Sequence, residues 1–220
     1  LKNYEIIFQD QHLAVVNKSA GLLSQGDHGG DKSLVDFLRE DFGRNYVGLV
    51  HRLDRKTSGL LVVAKRSKAA NRLTESLKKK TLQRVYWALL RGKITSSGKL
   101  ESFLKKDEKT NQSQVVASSV PESKKAVLDY KVIKSLLIKE EHISLVEVKL
   151  QTGRSHQIRV QFSHLGHPLL GDLKYGGSLK FVERPALHAA SLTFPHPMSG
   201  EVLSFQAEAP QDFKKLLNNS

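Results

Sequence analysis

His51-Arg52-Leu53-Asp54-Arg55-Lys56-Thr57-Ser58-Gly59-Leu60 places one carboxylate, Asp54, between two arginines in a short polar turn. The apolar run Leu60-Leu61-Val62-Val63-Ala64 starts as the turn ends. A run of that length bounded by turn residues reads as a buried strand. A turn fixed to a buried strand is a rigid place to hold a reactive side chain at a cleft. Positive charge on both sides favours the ionised acid. An ionised carboxylate in a basic setting can act as a nucleophile toward a sugar or a base. An isolated Arg–Asp neighbour pair, by contrast, is ordinarily a surface ion pair contributing about 0–1 kcal/mol.

Outward from this turn, Glu5 to Phe8 and Leu13 to Asn17 read as two short strands, with Asp10-Gln11 at the turn between them. Ser19 to Gly30 is loop. Ser33 is placed to cap a helix over Leu34 to Glu40, with Asp36 completing a capping-box-like pair. After the strand Leu60 to Ala64, Ser67 is expected to cap a helix reaching about Lys80, with Ala70, Leu73 and Leu77 on one face. Its end, Lys78-Lys79-Lys80, suits the helix macrodipole. Arg84 to Leu90 reads as a strand with Val85, Trp87 and Leu89 on one face and Arg84, Tyr86, Ala88 and Leu90 on the other. Lys93 to Ser123 is polar and poorly periodic, a hairpin or excursion. Two strands follow, Ala126 to Ile138 and His142 to Leu150. Then come a helix from Ser155 to His164 closed by Gly166, late strands Leu187 to Phe194 and Val202 to Gln206, and a terminal helix Pro210 to Leu217. Strands dominate, and helices do not alternate regularly with them. The expected class is α+β with a mostly antiparallel mixed sheet flanked by helices and loops.

A second stretch with chemical content is Gln151-Thr152-Gly153-Arg154-Ser155-His156-Gln157-Ile158-Arg159-Val160, followed by Gly166-His167-Pro168-Leu169-Leu170-Gly171-Asp172-Leu173-Lys174-Tyr175-Gly176. Thr152-Gly153 turns the chain into a short helix, and the spacing puts Arg159 on the face of Ser155 and His156. A rigid helix can aim an arginine at a buried carboxylate; the plainer reading is a solvated helix face. A third stretch is Arg84-Val85-Tyr86-Trp87-Ala88-Leu89. Tyr86 can stack on a base and its hydroxyl can move a proton; the plainer reading is a core tyrosine. The placement of Trp87 on the opposite face argues against both rings being core.

The chain has 220 residues, enough for one large domain or one domain of two lobes with a substantial core. Its formal net charge of +13 points to a polyanionic partner, most simply nucleic acid. With no cysteine, disulfides, thiol nucleophiles and cysteine-ligated zinc are excluded, which fits a reducing compartment. No stretch approaches the roughly 18 apolar residues of a membrane span. There are nine histidines, and His164, His167 and Asp172 can be drawn as metal ligands. Their spacing fits no standard zinc pattern, and no metal is expected.

The decamer resembles the catalytic motif of the RluA family of pseudouridine synthases, His-Arg-Leu-Asp, two free positions, then Thr-Ser-Gly, at every specified position. The segment Gly153 to Val160 is similar to the family's third synthase motif, and Arg84-Val85-Tyr86-Trp87-Ala88-Leu89 to its basic-x-Tyr-x-Ala-Leu pattern. Asn17-Lys18-Ser19-Ala20-Gly21-Leu22 resembles the family's first motif, with Ser19 where proline is usual. Leu187-His188-Ala189 and His196-Pro197 resemble its C-terminal strands and are assigned to structure. The resemblance runs from about Tyr4 to Phe213.

What the resemblance implies is a pseudouridine synthase fold with a central active-site cleft. Residues 1–220 would form a single catalytic domain without the RNA-binding helper domain that often precedes it in the family. The activity implied is isomerisation of uridine to pseudouridine in ribosomal or transfer RNA, exchanging the N1–C1′ bond for a C5–C1′ bond without a cofactor. The target uridine must be extruded from its stack, which costs a few kcal/mol. The resemblance puts Asp54 at the sugar as nucleophile or base, Tyr86 on the uracil, and Arg159 beside Asp54 to hold it ionised and oriented. Arg52 would fill the vacated stack with its planar guanidinium. His51, Leu53, Ile158 and Arg154 would complete the substrate contacts, with Leu53, Leu60 and Ile158 as an apolar wall against water. Glycoside hydrolysis ordinarily needs a second carboxylate about 5–10 Å away; none accompanies Asp54 in any motif, which favours isomerisation. Lys18, Arg55, Lys56, Lys65 and Arg154 are candidate phosphate contacts. The partner expected is an RNA stem-loop, with no membrane and no metal, for a cytoplasmic monomer. The alternative is a non-catalytic RNA-binding or chaperone protein on the same fold, against which the presence of Asp54, Tyr86 and Arg159 together argues. A metal-dependent hydrolase is a third option.

Overall fold

A computed structural model of the chain describes residues 3–26 and 29–218. In chain order its elements are β1 (Tyr4–Gln9), β2 (Leu13–Lys18), α1 (Leu34–Phe42), β3 (Gly48–Leu49), β4 (Ser58–Ala64), α2 (Ser67–Lys78), β5 (Gln83–Arg91), β6 (Gly98–Asp107) and β7 (Gln112–Val116). They continue with β8 (Lys124–Ile138), β9 (Glu141–Leu150), α3 (Gln157–His164), a 3-10 turn (Leu173–Tyr175), β10 (Leu187–Pro195), β11 (Val202–Gln206) and α4 (Gln211–Asn218). The chain divides into two compact units, Leu1–Arg84 with Ala189–Glu208, and Val85–His188 with Ala209–Ser220. The division falls inside β5 and inside β10. Asp27 and His28, within the loop expected from Ser19 to Gly30, lie outside the described residues.

In the first unit β2 is central to β1 and β4, antiparallel to both, with Tyr4 opposite Lys18 and Leu13 opposite Ala64. β10 lies beside β4, and β11 pairs antiparallel with β10. Every residue of β4 is buried, as expected for a strand covered on both faces. Leu13, Val15, Leu60 and Val62 pack with Ala69 and Leu73 of α2 and with Leu192 and Phe194 of β10. Burying each large side chain of this kind contributes roughly 1.5–3 kcal/mol. Ser33 caps α1 as its sequence implies: its hydroxyl accepts from Asp36 N, and Asp36 Oδ2 accepts from Ser33 N at 2.9 Å. For α2 the expectation is corrected. Arg66 is the N-cap, without a side-chain cap bond, and Ser67 is already the first helical residue. The helix ends at Lys78, and Lys80 turns left-handed at φ 60°.

The second unit is an antiparallel run in the order β5-β9-β8-β6-β7. The polar stretch 93–123 forms the β6–β7 hairpin. Its inner residue Leu104 packs with Ala126, Val160 of α3 and Tyr175. A second cluster joins Leu89, Ile143, Leu145 and Leu170 to Phe213 and Leu216 of α4. α3 starts at Gln157, two residues later than expected. His156 sits before it at φ 53°, so Ser155 and His156 do not share a helical face with Arg159.

Candidate active site

In the first unit, Asp54 lies on the turn between Leu53 and β4. The turn is closed by Thr57 N donating to Asp54 O at 3.0 Å. It is fixed from two sides. Ser24 Oγ donates to Leu53 O at 2.8 Å and accepts from Leu53 N at 3.1 Å. Lys18 Nζ donates to the carbonyls of Ser19, Leu22 and Arg55 at 2.9, 2.8 and 3.3 Å. Lys18 is 0% exposed, so the expectation that it contacts phosphate is corrected: its ammonium is an internal brace for the loop that carries Asp54. Asp54 itself is partly exposed, Arg52 is exposed and Leu53 is buried.

His51 is buried. Its Nε2 accepts from Val62 N at 3.4 Å, which leaves the proton on Nδ1. Burial, with the Arg84 charge adding to it, pushes the imidazole down to about 3, so the ring is neutral at physiological pH. Gly59 follows Ser58 at φ +111°, and a Cβ there would lie 2.3 Å from Ala189 O. Only glycine lets β10 approach β4 this closely. Of the other basic candidates, Arg55 is exposed and bonded to Gly21 O and Asp31. Lys56 is exposed. Lys65 donates to Asp10 O at 2.7 Å and lies over the Phe42 ring.

In the second unit, β5 carries Tyr86 on its buried face at 4% exposure, and Trp87 is half-buried on the other. Ile158 and Arg159 are buried in the first turn of α3. Arg159 grips Asp172 fork to fork, Nε to Oδ2 and Nη2 to Oδ1, both at 2.7 Å. The Tyr175 ring lies under the guanidinium at 5.0 Å. Tyr175 OH accepts from Ser113 N and bonds His156 Nδ1, each at 2.8 Å. Gln157 fixes the entry to the helix: Oε1 accepts from Thr152 Oγ1 and Arg154 N, and Nε2 donates to Val127 O. Arg154 is exposed, with Nε on Lys125 O at 3.0 Å.

Sequence reasoning missed Asp172, Tyr175 and Gln157 as partners of this segment. The sequence offers Asp172 only as a conceivable metal ligand, and its carboxylate is occupied by Arg159. His167, drawn beside it, bonds Arg91 O. Among the described residues no group of three or more His, Asp or Glu is arranged to hold a metal ion. No helix among them is long and apolar enough to cross a membrane.

A mixed, strand-rich sheet with a few helices is the pseudouridine synthase class of fold. Residues 12–164 match the family model described as RNA pseudouridylate synthase. The chain belongs to that family, isomerases acting on RNA, in its RluA branch. It is 38% identical over 218 residues to an uncharacterized RNA pseudouridine synthase of Bacillus subtilis, covering 96% of this chain and 70% of the relative. It is 39% identical over 230 residues to ribosomal large subunit pseudouridine synthase D of Zymomonas mobilis, covering 96% and 71%. Among solved structures, human RNA pseudouridylate synthase domain containing 1 superposes with a TM-score of 0.77 at 27% identity, covering 99% of this chain and 94% of that one.

Proposed function

We propose that this protein isomerises specific uridines of ribosomal or transfer RNA to pseudouridine. The observation that carries the reading is the intact decamer His51–Leu60 in a chain of the RNA pseudouridylate synthase family, held as a braced turn on β4. Asp54 acts on the sugar of the target uridine as nucleophile or base. The N1–C1′ bond breaks, the uracil turns, and the C5–C1′ bond forms; C5 loses its proton and N1 takes one up, so the product is an isomer and no cofactor is needed. Tyr86 stacks on the uracil and assists removal of that proton. Arg159 holds Asp54 ionised and oriented. Arg52 takes the place of the extruded base. His51, Leu53, Ile158 and Arg154 complete the contacts, and apolar Leu53, Leu60 and Ile158 keep water from the sugar. The protein acts as a cytoplasmic monomer on a stem-loop, with basic side chains such as Arg55 and Lys56 on phosphate, so affinity falls steeply with salt.

The names of several relatives refer to the ribosomal large subunit, which makes large-subunit ribosomal RNA the first substrate to try. Incubation with unmodified ribosomal and transfer RNA, followed by chemical adduct mapping of pseudouridine by primer extension, tests the reading. New stops that depend on Asp54 are expected. No stop on either RNA, with RNA binding intact, would instead support a non-catalytic RNA-binding protein.

A further inference from the structure

Near the start of β5, within electrostatic reach of His51, Arg84 is largely buried and has no counter-charge among the described residues. Arg84 is 7% exposed with its Nε sealed from solvent; among the described residues its side chain has no hydrogen bond and no carboxylate partner, and its two terminal nitrogens are not sealed. Among the described residues the other buried Lys and Arg side chains are matched, Lys18 by carbonyls and Arg159 by Asp172. Arginine cannot shed its charge to escape burial. A guanidinium with a buried stem and unsealed, unpartnered terminal nitrogens is placed to receive an anion from outside the fold.

The neighbourhood indicates what is missing. Arg84 is close enough for its charge to act on the His51 imidazole, which stays neutral and adds no second cation. His51 Nδ1 and Thr57 Oγ1, both in the decamer, are also buried without a hydrogen-bond partner. Nδ1 carries a proton, Thr57 has a hydroxyl to donate, and Arg84 has only donors. Of these three, the Arg84 guanidinium has donors that are not sealed, so it is the one that can take an acceptor from outside the protein fold.

We propose that Arg84 is a binding residue for a phosphodiester oxygen of the RNA, receiving the phosphate next to the target uridine. The proposal rests on the reading of this chain as an RNA enzyme and deepens it, by giving the Asp54 motif its own phosphate contact.

The test uses the full chain and an unmodified large-subunit ribosomal RNA transcript. Binding is measured across a salt series, with thermal unfolding in parallel, for wild type, Arg84→Met, Arg84→Lys and Arg84→Gln. Folded Arg84→Met should bind roughly 3- to 10-fold more weakly. Its plot of log affinity against log salt should be shallower by about 0.7 to 1. Its melting temperature should stay level or rise, because the Arg84 side chain has no hydrogen bond or ion pair among the described residues to lose. Arg84→Lys should keep the wild-type slope and Arg84→Gln should lose it, a comparison that stands if the methionine variant does not fold. A wild-type slope and affinity in folded Arg84→Met or Arg84→Gln would overturn the proposal and leave Arg84 a structural residue. Wild-type protein that neither binds nor modifies the RNA would overturn the functional reading instead.

Discussion

Arg159 and Asp172 meet as two parallel hydrogen bonds of 2.7 Å, with Asp172 1% exposed. The pair is charge-assisted and bidentate, so it fixes the plane of the guanidinium as well as its position. Tyr175 closes one face of that plane, and its hydroxyl is itself held by Ser113 and His156. A flexible side chain is thereby set rigidly on a short helix. Removing one partner of a buried pair leaves the other charge uncompensated, at a cost of about 3–5 kcal/mol. Asp172→Ala should lower unfolding free energy in urea by that amount, and Asp172→Asn, which keeps an acceptor, by less. A loss under about 1 kcal/mol for Asp172→Ala would place the pair among weak surface bridges.

His51 gives a pH dependence with a defined sign. Its folded pKa, about 3, lies below the ordinary histidine value of 6.5. Between those limits the unfolded chain binds a proton that the folded chain refuses, so stability rises with pH across the window and is lost as pH falls through it. The slope from this residue approaches about 1.4 kcal/mol per pH unit. The stability difference between wild type and His51→Gln should therefore shift against wild type as pH drops from 6.5 toward 4.5. A difference constant over that range would mean that His51 charges in the folded state.

Lys18 and Arg84 should separate cleanly. Lys18→Met removes the donor to three carbonyls around the Asp54 loop and should destabilise the fold by roughly 3 kcal/mol. Because the ammonium is internal, the salt slope of RNA binding by the folded variant should match wild type. A shallower slope in Lys18→Met would return Lys18 to the phosphate contacts.

Gly59→Ala tests the close approach of β10. The added carbon would sit 2.3 Å from Ala189 O at a φ of +111°, and the obstacle is backbone. We expect several kcal/mol of destabilisation, or no soluble protein. A variant that melts within a degree or two of wild type would show that β10 yields easily.

Much of this was legible in the sequence because it is local. The apolar run at Leu60–Ala64, the Ser33–Asp36 box and the long alternating strands β8 and β9 announce themselves by spacing. The decamer marks Asp54 without any structure. What was hidden depends on partners distant in sequence or on backbone angles. Lys18 reads as a surface cation until Leu22 and Arg55 bring their carbonyls to it. Asp172 is 13 residues from Arg159 across a turn, and no periodicity links them. The left-handed His156 delays α3 past Ser155. β3 is two residues long and has no pattern to read. The burial of Arg84 follows from tertiary packing alone.

In the proposed reaction Asp54 drives exchange of the uridine glycosidic bond. Forming the C5–C1′ bond expels the C5 hydrogen, so tritium release from transcripts labelled at uridine C5 reports the chemistry itself. Wild-type protein should release tritium from a large-subunit ribosomal or transfer RNA transcript, and folded Asp54→Asn should release none above background. Release by Asp54→Asn at the wild-type rate would contradict the account.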